Sequence, residues 1–439
     1  MRTLVEWLTL QESVHPRSID MGLERVSRVA AALGVAAPAY PVITVAGTNG
    51  KGSVAVHLEA LLGVLGARTG LFISPHLTRY NERIRIAGSE VGDSELIAAF
   101  ERIEDARAAT TLTFFEYNTL AALLIFARAG VDIAVLEVGL GGRLDATNLV
   151  DADVAVLASV GFDHRDWLGD TLEQIGAEKA GIFRAGRPAV LGTPEMPASV
   201  YQAIGRLGAR PVVAEREFRW QVGARSWEYH GLALSLHSLP PSALSGAIQY
   251  RNAATAIAAV EALRQAEGAR AAVARLAGRL APLDERVAAA ALGRVRLAGR
   301  FQVIPGEVEW ILDIAHNEPA ARVLAAQLRE RALPQSGPDA AGRTFAVIGV
   351  LADKDAAAIG TALAPVIDHW ILCTLEGARG MSATQLAARL APPAAPVELA
   401  DSVPAGCERA RGLARRGDRV VVCGSVYTVG PALRWLRIY

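Results

Sequence analysis

Three cysteines in 439 residues, Cys373, Cys407 and Cys423, are too few and too scattered for a disulfide framework or a zinc cluster. Cys373 and Cys423 fall in apolar, strand-like runs and read as buried thiols. Neither charge is in excess. Lys plus Arg number 45 and Asp plus Glu number 45, so bulk charge points to neither nucleic acid nor an anionic membrane. A local basic pocket is compatible with that balance. No run of about 18 apolar residues occurs, and Met1-Arg2-Thr3-Leu4-Val5-Glu6-Trp7-Leu8 holds no long apolar core. The expectation is a cytoplasmic protein with no membrane partner. No extended apolar face suggests an obligate assembly, so a monomer is expected. What the chain does have is core material: 51% of residues are hydrophobic and 21% charged. Its length exceeds what one hydrophobic core usually serves, so two domains are expected, or three.

The chain is organised around Val42-Ile43-Thr44-Val45-Ala46-Gly47-Thr48-Asn49-Gly50-Lys51-Gly52-Ser53. β-prone residues run into a glycine-rich turn, then a lysine and a hydroxyl, then an apolar helix pattern from Val54 to Leu65. Glycines let backbone N–H groups close around oxyanions, the helix directs its positive end at them, and Lys51 adds a full charge. Ser53 stands where it can reach a magnesium ion on the same phosphates. The spacing departs from the common P-loop: two residues separate Gly47 from Gly50, and Gly52 intervenes before the hydroxyl. The plain alternative is a strand–turn–helix with a solvated lysine. Because strand, loop and helix fall in the order a phosphate cradle requires, a nucleoside triphosphate is the expected ligand.

Further strand ends carry chemistry. Gly70-Leu71-Phe72-Ile73 ends in Ser74-Pro75-His76-Leu77, and a hydroxyl at the carboxyl end of a parallel strand faces the ligand crevice of an open α/β sheet. Taken alone, Ser74 is as well read as a turn former. The apolar strand Asp132–Leu136 delivers Glu137, the way phosphate-loop enzymes present a carboxylate to magnesium, and three glycines follow within Val138–Gly142. Val154–Ala158 leads to Asp163-His164. A single histidine is usually a packing residue, but it follows the same parallel series as Glu137 and Ser74. Lys179 in Glu178-Lys179-Ala180-Gly181 reads locally as a helix-surface lysine. Asp20 and Gly22, on either side of Met21, punctuate the start of an amphipathic helix, and Thr110 to Glu116, ending in Thr113-Phe114-Phe115-Glu116, separates helices Glu95–Arg107 and Tyr117–Ala129.

Between Phe218 and Leu239 the pattern changes to short alternating runs, read as a small antiparallel sheet. Asn252 opens the helix that follows, and the Ala/Arg-rich segment from Ala266 to Leu297 is read as helices ending in a linker. From Gly299-Arg300-Phe301-Gln302 onward, strand–loop–helix units resume, with strands at Phe345–Val350, His369–Thr374 and Val420–Cys423. Asp313 at a strand end, with His316 and Asn317 beside a helix start, suits contacts to a nucleotide held between domains. The expected fold is α/β: a P-loop-type, doubly wound, mostly parallel sheet with a small antiparallel sheet over 1–296, and a smaller Rossmann-like domain over 297–439.

Taken jointly and in order, these motifs resemble the folylpolyglutamate synthase and dihydrofolate synthase branch of the Mur-ligase superfamily, essentially end to end. The likeness includes Tyr80-Asn81-Glu82-Arg83, Leu136 to Asn148, Leu351-Ala352-Asp353-Lys354-Asp355 and Gly424-Ser425. The resemblance implies an ATP-dependent acid–amine ligase working through an acyl phosphate. It implies that Gly47 to Ser53 hold the triphosphate and that Asn252, Arg300, Asp313 and His316 touch the nucleotide. Ser74 and Glu137 would ligate one magnesium and His164 would serve a second. Lys179 matches a carbamylated lysine, an anion where an ordinary lysine would be a cation. Asp20-Met21-Gly22, Thr113 to Glu116 and Leu144-Asp145-Ala146 resemble a dihydropteroate pocket, in which aromatic rings stack on a pterin and a carboxylate accepts its N–H groups. Dihydropteroate, reduced folates and L-glutamate are the implied substrates. Two departures stand out: Glu318 intervenes between the His-Asn pair and Pro319, and Ile248 replaces a frequent histidine before Gln249. The rivals are a Mur-type ligase acting on a cell-wall precursor, for which some forty residues before the phosphate loop leave too little room, and a phosphate-loop ATPase or kinase without ligation.

Overall fold

The computed structural model describes residues 2–265, 270–331, 333, 342–377, 379–390 and 395–438. Among them, the N-terminal half is built on strands β1 (Val42–Ala46), β2 (Thr69–Phe72), β3 (Ile84–Ile86), β4 (Ser89–Glu90), β5 (Ile133–Glu137), β6 (Val154–Leu157), β7 (Pro188–Leu191) and β8 (Arg210–Val213). They lie in the order β4-β3-β2-β5-β1-β6-β7-β8. From β2 to β8 every neighbour is parallel, while β3 and β4 close one edge antiparallel.

The sequence explains this sheet. Alternate residues of β5 face opposite sides: Ile133 and Val135 join the core under helices Lys51–Val64 and Ile248–Arg264. Ala134 and Leu136 join the core under helices Asp93–Arg107 and Phe114–Ala129. A strand buried on both faces needs apolar residues throughout, which is why this one reads as a continuous run. Each fully buried Val, Leu or Phe side chain contributes about 1.5–3 kcal/mol. Register then positions function: Val45 pairs with Glu137 and Ala46 with Leu157, so the turn after β1, the end of β5 and the turn after β6 share one carboxyl edge. The chain departs to opposite sides of β1, making this the crevice where open α/β sheets bind ligands.

A three-stranded antiparallel sheet follows, β9 (Arg219–Val222), β10 (Trp227–His230) and β11 (Ser235–Leu239), with Trp227 and Tyr229 buried against the first core. The last third forms a second sheet of β12 (Gln302–Ile304), β13 (Glu309–Asp313), β14 (Thr344–Ile348), β15 (His369–Cys373), β16 (Val397–Ala400) and β17 (Arg419–Cys423). Its order is β12-β13-β17-β14-β15-β16, parallel except for β12. Both sheets agree with the α/β expectation.

Local expectations shift in places. The phosphate-loop helix begins at Lys51 rather than Val54, because Gly50 ends the turn directly. The break between the two helices ends at Thr113 rather than Glu116: Thr113 caps the second helix, which begins at Phe114, and Glu116 completes a reciprocal capping box. Asp20 and Gly22 do not cap the helix Glu24–Leu33, whose cap is Leu23 without a side-chain bond. Tyr80–Arg83 is a turn of 3-10 helix ahead of β3. Strands β4, β7, β8 and β16 are additions. Of the Ala/Arg-rich segment, 266–269 lie outside the described residues, and the rest contains helices Ala271–Arg279 and Glu285–Arg294. All three cysteines are buried free thiols. No helix of the described residues is long and apolar enough to cross a membrane.

Candidate active site

The turn after β1 is held open by its neighbours. Thr48 N donates to the Ser159 carbonyl at 2.9 Å, Asn49 N donates to Ser159 Oγ at 3.1 Å, and Thr48 Oγ1 donates to the Gly161 carbonyl at 3.0 Å. Gly47 passes so close to the next strand end that an added Cβ would lie 3.1 Å from Ala158 Cβ and from Ser159 N. Gly50 takes the left-handed conformation (φ 88°) and caps the helix with no side chain. The first-turn N–H groups therefore face the crevice without an internal cap, as an oxyanion cradle requires. Lys51 folds back over the loop, its Nζ donating to the Gly47 carbonyl at 2.9 Å.

One cavity of about 430 Å³ gathers this turn with groups from both domains. Gly47, Thr48, Asn49, Gly50, Lys51, Gly52 and Ser53 form its floor, and Ser74, Glu137, His164, Lys179 and Asn252 stand along one side. Arg300, Asp313 and His316 face them from the opposing domain. Residues separated by up to 269 positions in sequence thus converge: the phosphate turn, Ser74, Glu137, His164, Asp313 and His316 lie at or just after the carboxyl ends of parallel strands, whereas Lys179 comes from the last turn of the helix Leu172–Ala180 and Asn252 from the first turns of Ile248–Arg264.

Electrostatics in this cavity favour an anionic, metal-assisted ligand. Burial raises the Glu137 carboxyl pKa, while Lys51, the Ser74 N–H, Arg300 and Arg83 pull the other way. Ser74 N donates to Glu137 Oε2 at 2.9 Å. Burial, with the nearby charges of Lys354 and Lys51, pushes the His164 imidazole down to about 4 against the pull of Asp163. His164 is therefore neutral at physiological pH and able to ligate a metal; it sits at φ 51°, a left-handed backbone uncommon outside glycine. Among the described residues no three His, Cys, Asp or Glu side chains form a metal cage. Magnesium commonly takes one or two carboxylates and completes its shell with substrate phosphates and water, and Glu137 beside the phosphate cradle fits that pattern.

Lys179 is 4% exposed. Burial, then the charge of Lys51, pushes its ammonium down to about 7, while Asp163 and Asp145 oppose the shift. Gly142 is what lets the lysine helix approach: a Cβ there would lie 2.8 Å from the Lys179 carbonyl oxygen and 2.9 Å from that of Glu178.

Other expected site residues lie round the glycine loop Gly139–Gly142 instead of in this cavity. An added Cβ at Gly139 would meet the Phe115 ring at 2.5 Å, and one at Gly141 would meet Met21 Cε at 3.5 Å. Arg25 joins Asp20 (2.8 Å) to Glu116 (3.3 Å). Phe114 lies edge-on to Tyr80 and under the Arg83 guanidinium. Leu144 and Ala146 flank Asp145, whose carboxylate is already engaged: Thr147 N and Oγ1 donate to Oδ1 and Leu140 N donates to Oδ2. Gly22 lies beside the Glu24 carboxylate. Asp313 likewise accepts Phe301 N and Ala315 N, one on each oxygen, and so fixes the Arg300-Phe301 turn.

Other contacts at the seam join residues that the sequence motifs mark one by one without pairing them. Asp163 accepts Lys354 Nζ at 2.5 Å and Asn317 Nδ2 at 3.0 Å, both from the opposing domain, with His316 Nε2 at 3.3 Å. Burial opposes ionisation of Asp163, but His316, His164 and Lys354 together hold its carboxyl well below the usual range. Asn49 and Asn317 exchange amide hydrogen bonds across the same seam at 3.1 and 3.2 Å. Lys354 has side-chain exposure of 6%, so its removal takes the ammonium from a buried carboxylate and leaves it to Asn317, His316 and the His164 N–H. Lys354→Met is expected to cost about 3 kcal/mol, read as a lowered midpoint of urea unfolding. An unchanged midpoint would mean that water already screens the pair.

A nucleotide cradle, a strand-end carboxylate and a cleft facing a second α/β domain define a ligase of the Mur type. In agreement, residues 45–192 match the Mur ligase middle domain and 299–426 the Mur ligase glutamate ligase domain. The chain belongs to the dihydrofolate synthase/folylpolyglutamate synthase family within that group, and is an ATP-dependent acid–amino-acid ligase that uses a divalent metal ion. It is 43% identical to the Escherichia coli dihydrofolate synthase/folylpolyglutamate synthase over 432 residues, 98% of this chain and 94% of that protein. The Haemophilus influenzae counterpart is 39% identical over 97% of this chain and 96% of its own length. The solved structure of the Escherichia coli enzyme with DHPP and ADP superposes at a TM-score of 0.89, with 41% identity, covering 100% of this chain and 98% of that one. A bifunctional folylpolyglutamate synthase/dihydrofolate synthase with Mn, AMPPNP and L-glutamate bound gives 0.87 at 39% identity, covering 100% and 98%.

Proposed function

We propose that this chain joins L-glutamate to dihydropteroate and adds further γ-linked glutamates to reduced folates. The observation that carries the reading is the single cavity in which the phosphate turn, Glu137, His164 and Lys179 face Arg300, Asp313 and His316 of the other domain. In the first step a carboxylate oxygen of the acceptor attacks the γ-phosphorus of ATP, and ADP leaves. In the second the glutamate amine attacks the acyl carbon, inorganic phosphate leaves and the amine's extra proton passes to solvent or base. The acyl phosphate is open to hydrolysis, so both steps need a cleft closed to water.

The roles follow from charge and position. The N–H groups of Thr48 to Ser53, with Lys51, hold the triphosphate and bear its negative charge. Asn252, Arg300, Asp313 and His316 position the nucleotide between the domains, which divide at about residues 296 and 297. Ser74 and Glu137 would hold one divalent cation and neutral His164 a second; bound there, such ions would supply charge neutralisation for the phosphates. Lys179 carries a carbamate. Met21, Phe114 and Phe115, with Asp20, Gly22, Thr113, Glu116 and Leu144 to Ala146, shape the pterin compartment beside the glycine loop. The chain works as a monomer in the cytoplasm.

Incubation with ATP, magnesium, L-glutamate and dihydropteroate is expected to yield dihydrofolate and ADP in equal amounts. ADP release indifferent to both acid and amine would instead mark a plain ATPase.

A further inference from the structure

A second, larger cavity of about 810 Å³ adjoins the first and shares with it Pro75, Arg300, Phe301 and Ile314. It lies between the β2–β4 edge of the first domain, the connecting segment Val295–Phe301, and Val426 and Ile438 of the second. Its volume is within the range of small-molecule sites. Arg79, Arg85, Arg296 and Arg300 line it, against Glu82 and Glu90.

The two acids are occupied. Glu82 accepts the backbone N–H groups of Leu77, Thr78 and Arg79, and Glu90 is paired with Arg79. Arg85 is less well matched: its Nη1 donates to the Arg296 carbonyl at 3.3 Å, the Glu59 carboxylate lies 3.6 Å away, and its buried Nε has no hydrogen-bond partner among the described residues. Burial also raises the pKa of Glu59, weakening it as a counter-charge. Arg296 donates to the carbonyls of Gly293 and Val295, and its residue is exposed. The chamber is therefore net cationic and opens onto the place where the acyl group is activated.

That arrangement meets a need built into the proposed reaction. In dihydropteroate the reacting carboxyl is on the aromatic ring; in a glutamylated folate it lies at the end of a tail that lengthens each turn. A pterin compartment fixed beside the glycine loop cannot keep the ring in place while bringing every successive tail end to the same γ-phosphate. Each added unit also leaves one α-carboxylate on the tail, so the lengthening segment is a polyanion, which arginines bind with oriented, charge-assisted hydrogen bonds.

We propose that the interdomain chamber holds the oligo-γ-glutamate tail of the elongating substrate, with Arg79, Arg85 and Arg296 as its carboxylate-binding groups. The proposal rests on the ligase reading above. The test is the variant pair Arg296→Glu and Arg79→Glu/Arg296→Glu, assayed with dihydropteroate and with a triglutamylated tetrahydrofolate. The expected result is a KM for the triglutamate raised about fivefold or more in the double variant, with dihydropteroate within about twofold of its original value. Added salt should weaken the triglutamate more than dihydropteroate, because the tail contacts are screened. Equal losses for both substrates, or none for either, would overturn the assignment. Should the variants fail to fold, free tri-γ-glutamate peptide serves as a probe on the unaltered enzyme. It should compete with the triglutamylated substrate and leave dihydropteroate ligation untouched; no selective competition overturns the proposal. An unaltered enzyme that ligates neither acid would refute the ligase reading itself, whereas one that elongates normally and ignores the peptide refutes only the tail site.

Discussion

Lys51→Ala is expected to leave a folded protein whose ligation rate has fallen by roughly a thousandfold or more. The fold should survive, because among the described residues the lysine's hydrogen bonds go to two carbonyls of its own turn, Gly47 at 2.9 Å and Thr48 at 3.4 Å. The turn keeps its bracing from Ser159 and Gly161 without it. Catalysis should not survive, for two reasons that act together. The phosphates lose their one cation within the loop. Glu137 also loses the largest of the interactions that hold its buried carboxyl in the charged form, so it shifts toward protonation and becomes a poorer metal ligand. Glu137→Ala, which removes that ligand outright, should fall as far. Steady-state rates of ADP release, with thermal unfolding as a control for the fold, read both. Retained turnover in either variant would discard the role assigned to that residue.

The coupling between Lys51 and Glu137 illustrates what the sequence carried and what it did not. The phosphate turn was legible because glycines, lysine and hydroxyl must sit close together in the chain, between a strand and a helix. Glu137 was legible because the strand delivering it is buried on both faces and so reads as a continuous apolar run. The two sheets followed from the same alternation. Short strands were harder. The burial of β16 is uneven along an edge, and β8 contains Pro211, which argues against a strand by itself. Phe114 to Glu116 read as loop although they are the helix's first turn, because a capping box looks like a loop until its reciprocal bonds are seen.

Which residues pair across the domains was not legible, although Asp163, His316, Asn317 and Lys354 each fell in a motif of the sequence. Lys354 and Asp163 are separated by 191 positions, and nothing in either neighbourhood names the other. His164 gave a hint only through its place after β6; its neutrality arises from burial and from the lysines around it. The carboxylates of Asp145 and Asp313 show the converse. Both stand where ligand contacts were expected, yet each is engaged by backbone N–H groups and shapes a loop. For Asp313 the consequence is still functional, since the turn it fixes carries Arg300 into the cavity.

Lys179 gives the second large effect. An ammonium pushed down to about 7 is neutral in about half of the molecules at neutral pH. Only the neutral amine can attack carbon dioxide; the new N–C bond forms as one proton leaves, and a cation becomes a carbamate anion. The sign is fixed by the direction of the shift. Below pH 7 the amine is protonated, the carbamate is not replenished and ligation should decline; above it, activity should reach a plateau well before an ordinary lysine would titrate. Added bicarbonate should restore part of the loss near pH 6.5, and ¹³C-bicarbonate should give a carbamate resonance that is absent from Lys179→Ala. That variant is expected to lose about a hundredfold or more in rate. It should regain part of the rate with formate or acetate, which can place a carboxylate where the carbamate stood. The cavity left by the lysine lies beside the Lys51 ammonium, which would attract such an ion. Activity in Lys179→Ala that small carboxylates leave unmoved, together with no carbamate resonance in the unaltered enzyme, would show that the lysine acts as a plain amine.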